Sequence, residues 1–174
     1  MQLSTAAKIK LAGQGDQQAL SELFDEYQLP IYLQAFALLH SHALAEDAVQ
    51  DCFVKLMDAA ARYQPTGSAR AWLMRIAHNA AVDILRREGR GTALFDEITH
   101  VDKGYAELEG ELEFLRVTAQ LRDLDRTIII CRVFADMPHS EVAQVVGLSA
   151  GAVRVRYRRI IAQLKEFYEK EGRR

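Results

Sequence analysis

Apolar residues recur at helical spacing along most of this chain. From Asp16 onward, QQALSELFDEYQLPIYLQAFALL places Leu20, Leu23, Phe24 and Tyr27, then Ile31, Leu33, Phe36, Leu38 and Leu39, at intervals that predict amphipathic helix on both sides of Pro30. The proline lacks the amide a helix interior needs, so a break or kink is expected there. Residues 43–61 (ALAEDAVQDCFVKLMDAAA) put Leu44, Ala48, Cys52 or Phe53, and Leu56 on one face. Pro65, Gly67 and Ser68 then punctuate RYQPTGSAR as a loop and a helix cap. In the next helical stretch, ARAWLMRIAHNAAVDILRRE, the stripe Trp72, Leu73, Ile76, Ala77, Ala80 and Ile84 is expected to be buried. The pattern lapses from 89 to about 110, where glycines and acids predict a linker of some mobility. Helix returns at Glu111. Leu121, Leu124, Ile128, Ile129, Cys131 and Val133 then supply apolar surface on which the C-terminal segment can pack.

That C-terminal segment, MPHSEVAQVVGLSAGAVRVRYRRIIAQLK, reads as helix, tight turn, helix. Pro138 and Ser140 open the first helix, with Glu141 in a first turn that favours an anion, and Val142, Ala143, Val145 and Val146 face one side. Gly147 ends it and Ser149 caps the second helix, whose apolar stripe is Val153, Tyr157, Ile160, Ile161, Leu164 and Tyr168. At about 100° per residue, Arg154, Arg158 and Arg159 fall with Val155 on the opposite side, and Arg156 sits at the stripe's edge. Ala143, Gly147 and Val153 stand where a helix-turn-helix needs a small packing residue, a turn glycine and a buried anchor. Arginines at the exposed start of the second helix suit entry into a DNA major groove, since a guanidinium bonds phosphates and forks onto guanine edges.

Composition narrows the class. At 174 residues and 49% apolar, the chain has enough material for one domain or two small ones. No stretch approaches eighteen apolar residues and the N-terminus lacks an apolar signal core, so the expectation is a cytoplasmic protein with no membrane insertion. Cys52 and Cys131, far apart and outside any CxxC, are expected to be reduced core thiols. Net charge is −2, which does not suit a protein that grips DNA alone. Its distribution is uneven. Lys and Arg number 9 against 10 Asp and Glu in residues 1–90, 2 against 7 in 91–117, and 11 against 7 in 118–174. An acidic middle between a near-neutral front and a basic end implies segments with different partners.

Two further polar faces bear on chemistry. Glu46, Asp47, Gln50 and Asp51 cluster near the start of their helix, where acids either answer the dipole or meet a basic protein partner. On the tryptophan helix, Arg75, Asn79, Asp83, Arg86 and Arg87 align at spacings of three and four. Such side chains read bases or hold phosphates; the alternative is a solvated face with an Asp83 to Arg87 pair worth a few tenths of a kcal/mol.

AEDAVQDCFVKLMD, a Pro/Gly loop, WLMRIAHNAAVDILRR, an acidic linker and SEVAQVVGLSAGAVRVRYRR together resemble a bacterial RNA polymerase sigma factor of the sigma-70 family, extracytoplasmic-function type, from about Leu20 to Leu164. The resemblance implies an all-α fold of two small helical domains, a region 2 bundle (1–90) and a C-terminal helix-turn-helix region 4 (118–174), joined by an acidic linker (91–117). It also implies core RNA polymerase, promoter DNA and an anti-sigma factor as partners, and no cofactor. Asp47, Gln50 and Asp51 would bind polymerase. Tyr63 to Ser68 would form the loop that holds a base flipped from the non-template strand. Tyr63, Ser68, Trp72, Arg75, Asn79, Arg86 and Arg87 would serve the downstream (−10) element and its melting, and Arg154, Val155, Arg158 and Arg159 would read the upstream (−35) element. The linker would thread the channel later used by RNA. Ala152 and Val155 depart from the Thr and Ser the family often has, and LRDLDRTIIICRVF lacks the usual Pro after its leading Leu, which bears on the promoter sequence.

Three other classes fit less well. A sigma-like adaptor that titrates an anti-sigma partner has no need of the arginines at 154, 158 and 159. A stand-alone helix-turn-helix repressor needs a dimerisation or ligand module that the sequence does not suggest. An enzyme is the poorest fit: His40, His42 and Cys52 lack zinc spacing, and no phosphate loop or nucleophile and base pair is evident.

Overall fold

The computed structural model describes residues 3–88 and 109–171, so the expected linker lies outside the described residues up to 108 and inside them from 109 to 117. Those residues form eight α-helices: α1 (Thr5–Ala12), α2 (Gln17–Leu39), α3 (His42–Ala60), α4 (Ala69–Arg87), α5 (Glu109–Thr118), α6 (Asp123–Val133), α7 (His139–Val146) and α8 (Ala150–Glu171). The all-α architecture is as the pattern predicts. α5 begins inside the segment assigned to the linker.

Local chemistry sets the helix starts. Ser4, Asp16, Ser41 and Ser68 each accept a backbone N–H three residues on, capping α1, α2, α3 and α4. Gly13 ends α1 for a steric reason. A Cβ there would lie 2.6 Å from the Ala60 carbonyl, so only glycine lets the two chain segments touch.

α2 is continuous through Pro30, contrary to the expected break. The proline ring is buried and the helix runs on to His40, which closes it at φ 52°. An interior proline costs about 3 kcal/mol. Packing outweighs it, because every residue from Pro30 to Ala37 is buried and each large apolar side chain contributes about 1.5–3 kcal/mol. α1, α3, α4 and α6 all pack on α2. Gln34, also enclosed, lies 3.4 Å from His78 of α4.

The second lobe comprises α5 to α8. Ile128, Ile129, Ile130 and Cys131 of α6 are buried with Val142, Ala143 and Val145 of α7 and Val153 and Ile160 of α8. Two expectations fail here. Val133 is half exposed, and Tyr168 lies beyond the packed stripe at 55% exposure while Phe167 turns toward Gln120 and Leu121 instead. α8 outruns the helices beside it, so its last turns have less to pack on. Both cysteines are free and buried, and burial pushes each thiol up to about 12.

The lobes meet through α2 with α6 and through α4 with α7. Arg70 of α4 makes the polar link: Nε lies 3.0 Å from Glu141 Oε2, Nη2 donates to Glu141 Oε1 at 3.2 Å, and Nη1 donates to the Asp136 carbonyl at 3.2 Å.

His40, His78 and His139 all have their pKa lowered, chiefly by burial; Arg126 adds to the effect at His40, and Arg132, Arg154 and Arg158 add to it at His139. A folded-state pKa below the unfolded value means the unfolded chain takes up protons first. Their neutral forms therefore support folding above the unfolded value of about 6.5, and that support is lost as pH falls below it. Urea midpoints measured from about pH 7.5 down to about pH 5 should fall, and His78→Gln should flatten part of the decline; a flat profile contradicts this packing.

Candidate nucleic-acid and polymerase interfaces

The C-terminal lobe has the geometry of a helix-turn-helix. Gly147 adopts φ 70°, ψ 32° after α7, the left-handed conformation that glycine enters without a Cβ penalty. Ser149 Oγ accepts from the Ala152 amide at 3.1 Å and starts α8. Val153 and Ile160, both fully buried, anchor α8 on α6 and α7. That rotational setting leaves Arg154, Val155, Arg158 and Arg159 outward, with Val155 67% exposed. Arg156 is half-buried and donates to Asp125 Oδ1 at 2.8 Å. His139, at the start of α7, packs edge-on to Tyr157 at 5.3 Å, and the Arg132 guanidinium lies 5.5 Å from the same ring.

In the N-terminal lobe the loop before α4 and the first turns of α4 enclose a cavity of about 200 Å³, lined by Tyr63, Gln64, Thr66, Gly67, Ser68, Ala71, Trp72, Arg75 and Gln144. Tyr63 and Trp72 face each other at 4.7 Å between ring centroids, tilted by 51°. Trp72 is half-buried, so it is neither plain core nor free surface. The Tyr63 hydroxyl is buried without a hydrogen-bond partner among the described residues, and burial raises its pKa. The two rings offer aromatic faces on which a planar ligand can stack. Ser68 is committed to capping α4, accepting from the Ala71 amide at 3.1 Å.

Arg75, which lines this cavity, and Asn79 are exposed, and Arg86 and Arg87 are exposed at the far end of α4. The Asp83 to Arg87 pair of the alternative reading is replaced by other pairings. Asp83 instead takes Lys55 of α3 at 2.7 Å, whose hydrogen bond lowers the carboxyl's pKa, and Arg87 reaches Asp51 of α3 at 3.2 Å. The neighbouring helix offers partners that one helix read alone does not. Asp51, expected at the polymerase surface, and Arg87, expected at DNA, are thus ion-paired. Glu46, Asp47 and Gln50 remain exposed on α3.

Several residues of these surfaces escaped the sequence reading. Gln144 belongs to α7 yet lines the cavity of the other lobe, and a Cβ on Gly67 would lie 3.3 Å from its Oε1. No local pattern signals that. On α3, Val54 (62% exposed) and Met57 lie beside the acids, with Phe24 of α2 packed on Phe53 at 5.0 Å. An apolar Val54 four residues after Gln50 was a readable signal. Tyr32 hydrogen-bonds His42, and no cluster of His, Cys, Asp and Glu set to hold a metal occurs among the described residues.

Family comparison agrees with this geometry. Residues 23–91 match the model for Sigma-70 region 2, and residues 119–166 match that for Sigma-70, region 4. The RNA polymerase sigma factor NccH of Alcaligenes xylosoxydans xylosoxydans is 31% identical over 169 residues, covering 91% of each chain. The RNA polymerase sigma factor YlaC of Bacillus subtilis is 26% identical over 157 residues, 85% of this chain and 91% of that one. The solved structure of CnrH in complex with the cytosolic domain of CnrY superposes with a TM-score of 0.70 at 25% identity, over 95% of this chain and 97% of the other. The fold is shared too with the sigma factor RpoE of Bartonella quintana, solved with the anti-sigma factor NepR, at a TM-score of 0.65 and 21% identity over 86% and 96%. The chain belongs to the sigma-70 family of RNA polymerase sigma factors, extracytoplasmic-function type. It is a transcription initiation factor whose partners are polymerase and DNA.

The turn between α7 and α8 gives a direct test of the reading head's geometry. A Cβ at Gly147 meets nothing within 4 Å, so Gly147→Ala costs only backbone strain, about 1–2 kcal/mol. Urea unfolding should register that loss; an unchanged or raised midpoint contradicts the left-handed turn.

Proposed function

We propose a division of labour in which residues 1–90 bind the polymerase and melt the promoter, residues 91–117 link, and residues 118–174 read the upstream element. The observation that carries this reading is the outward set of Arg154, Val155, Arg158 and Arg159 on a helix whose opposite side is anchored by Val153 and Ile160. Three guanidiniums around one exposed aliphatic side chain suit a groove where phosphates, guanine edges and thymine methyls lie side by side.

The cavity of Tyr63, Ser68 and Trp72 suits a base extruded from the duplex. Flipping costs a few kcal/mol, which contacts with the Tyr63 and Trp72 rings help repay. Arg75, Asn79, Arg86 and Arg87 then hold the adjoining strand. Asp47, Gln50 and Asp51 face basic residues of the polymerase, with Val54 and Met57 adding apolar contact. Net charge of −2 fits this arrangement, because the larger enzyme supplies most of the electrostatic grip.

The protein acts in the cytoplasm, without catalysis of its own and without a cofactor. An anti-sigma factor is proposed as a third partner, supported by two solved relatives that are bound to such proteins or to a cytosolic domain.

Two substitutions separate the assignments. Arg158→Ala should cut transcription from the cognate promoter by about tenfold, the worth of one good base contact at roughly 1–3 kcal/mol, while polymerase affinity stays constant. Parallel loss of both would make the residue structural. Asp47→Arg, at an exposed site, should weaken binding to core polymerase in a direct titration, and an unchanged affinity would refute the α3 assignment.

A further inference from the structure

Four arginines crowd the start of α8, and their surroundings differ. Arg154 and Arg158 are exposed, with no acidic partner among the described residues. Arg156 and Arg159 share one carboxylate: Asp125 Oδ1 accepts from Arg156 Nη1 at 2.8 Å, and Oδ2 lies 3.8 Å from Arg159 Nη2. Asp125 is only 5% exposed and sits in the first turn of α6, where the helix N-terminus favours an anion.

We propose that Asp125 is a specificity-determining positioning residue, withholding Arg156 from the DNA and steering Arg159, so that α8 presents two free cations around Val155 rather than a continuous cationic strip. The inference rests on the reading of α8 proposed above.

Two arguments support it. Stability alone does not call for a carboxylate at this place, since a buried ion pair is commonly no better than well-packed apolar residues of similar volume. Specificity does call for restraint. A loose guanidinium bonds the phosphates of any sequence, and each such contact raises binding to the promoter and to unrelated DNA alike. Anchoring two of the four to an acid beneath the helix fixes the side chain at one flank of the reading face. Discrimination is left to Arg154, Val155 and Arg158.

The test uses holoenzyme assembled from the full chain and core polymerase. Binding is measured across a salt series to a cognate promoter fragment and to the same fragment with its upstream element scrambled. With Asp125→Asn, the slope of log affinity against log salt should steepen by about one to two, at about 0.9 per phosphate gained. Affinity for the scrambled fragment should rise more than for the promoter, so that the ratio falls by at least about threefold, a loss small beside the usual span of specificity. Asp125→Glu, which keeps the charge, should retain the parent slope and ratio. Proportional weakening on both fragments at unchanged slope would overturn the proposal, as it would mark Asp125 as packing only. Should Asp125→Asn fail to fold, holoenzyme carrying Arg156→Gln decides the matter: its slope and ratio should match the parent, and a slope shallower by about one, the worth of a lost phosphate contact, overturns the proposal. A parent holoenzyme that does not distinguish the two fragments would instead refute the reading of α8, and this inference with it.

Discussion

Helix α2 is enclosed along its second half by both lobes at once, and that burial is the constraint on which the rest of the structure depends. From Pro30 to Ala37 no side chain reaches solvent. α3, α4 and α6, on which α7 and α8 pack, are all held against it. The same enclosure explains why a helix-interior proline is tolerated and why Gln34 is buried beside the half-buried His78. Each lobe still directs its polar side outward.

The two lobes are not independent where they touch. Arg70 and Glu141 join α4 to α7, and Gln144 completes the wall of the cavity formed by Tyr63 and Trp72. Lys55 with Asp83 and Arg87 with Asp51 tie α3 to α4. These pairs are half exposed and individually weak. Their effect is to set which charges point where, as the pairing of Asp125 does for α8. Across the chain, acids placed between helices apportion the arginines.

Much of this was legible from the residues. The helices from α2 onward, the turn at Gly147, the Ser68 and Ser149 caps, the buried Val153 and the exposed arginines of α8 follow from 3.6-residue periodicity and local capping chemistry, which are properties of short segments; α1 was not foreseen. What was not legible depends on neighbours distant in sequence. Pro30 stays helical because of helices elsewhere in the chain. Asp83 takes Lys55 because α3 brings that ammonium to 2.7 Å, while Asp51 of α3 draws Arg87 away at 3.2 Å. Gln144 enters the other lobe's cavity through tertiary packing alone. Asp125 reads as an ordinary first-turn acid until α8 is laid against it. Family motifs supplied roles, and they could not supply these contacts.

The central claim is that two separate surfaces, one per lobe, engage one promoter within a polymerase complex. Both native thiols are buried, so a single cysteine added at Val155 or at Gln64 can carry a DNA-cleaving chelate without competition. In holoenzyme bound to its promoter, the reagent at 155 should cut only at the upstream element and the reagent at 64 only near the start of the melted segment. Cuts from both positions at one place, or none from either, would contradict the account.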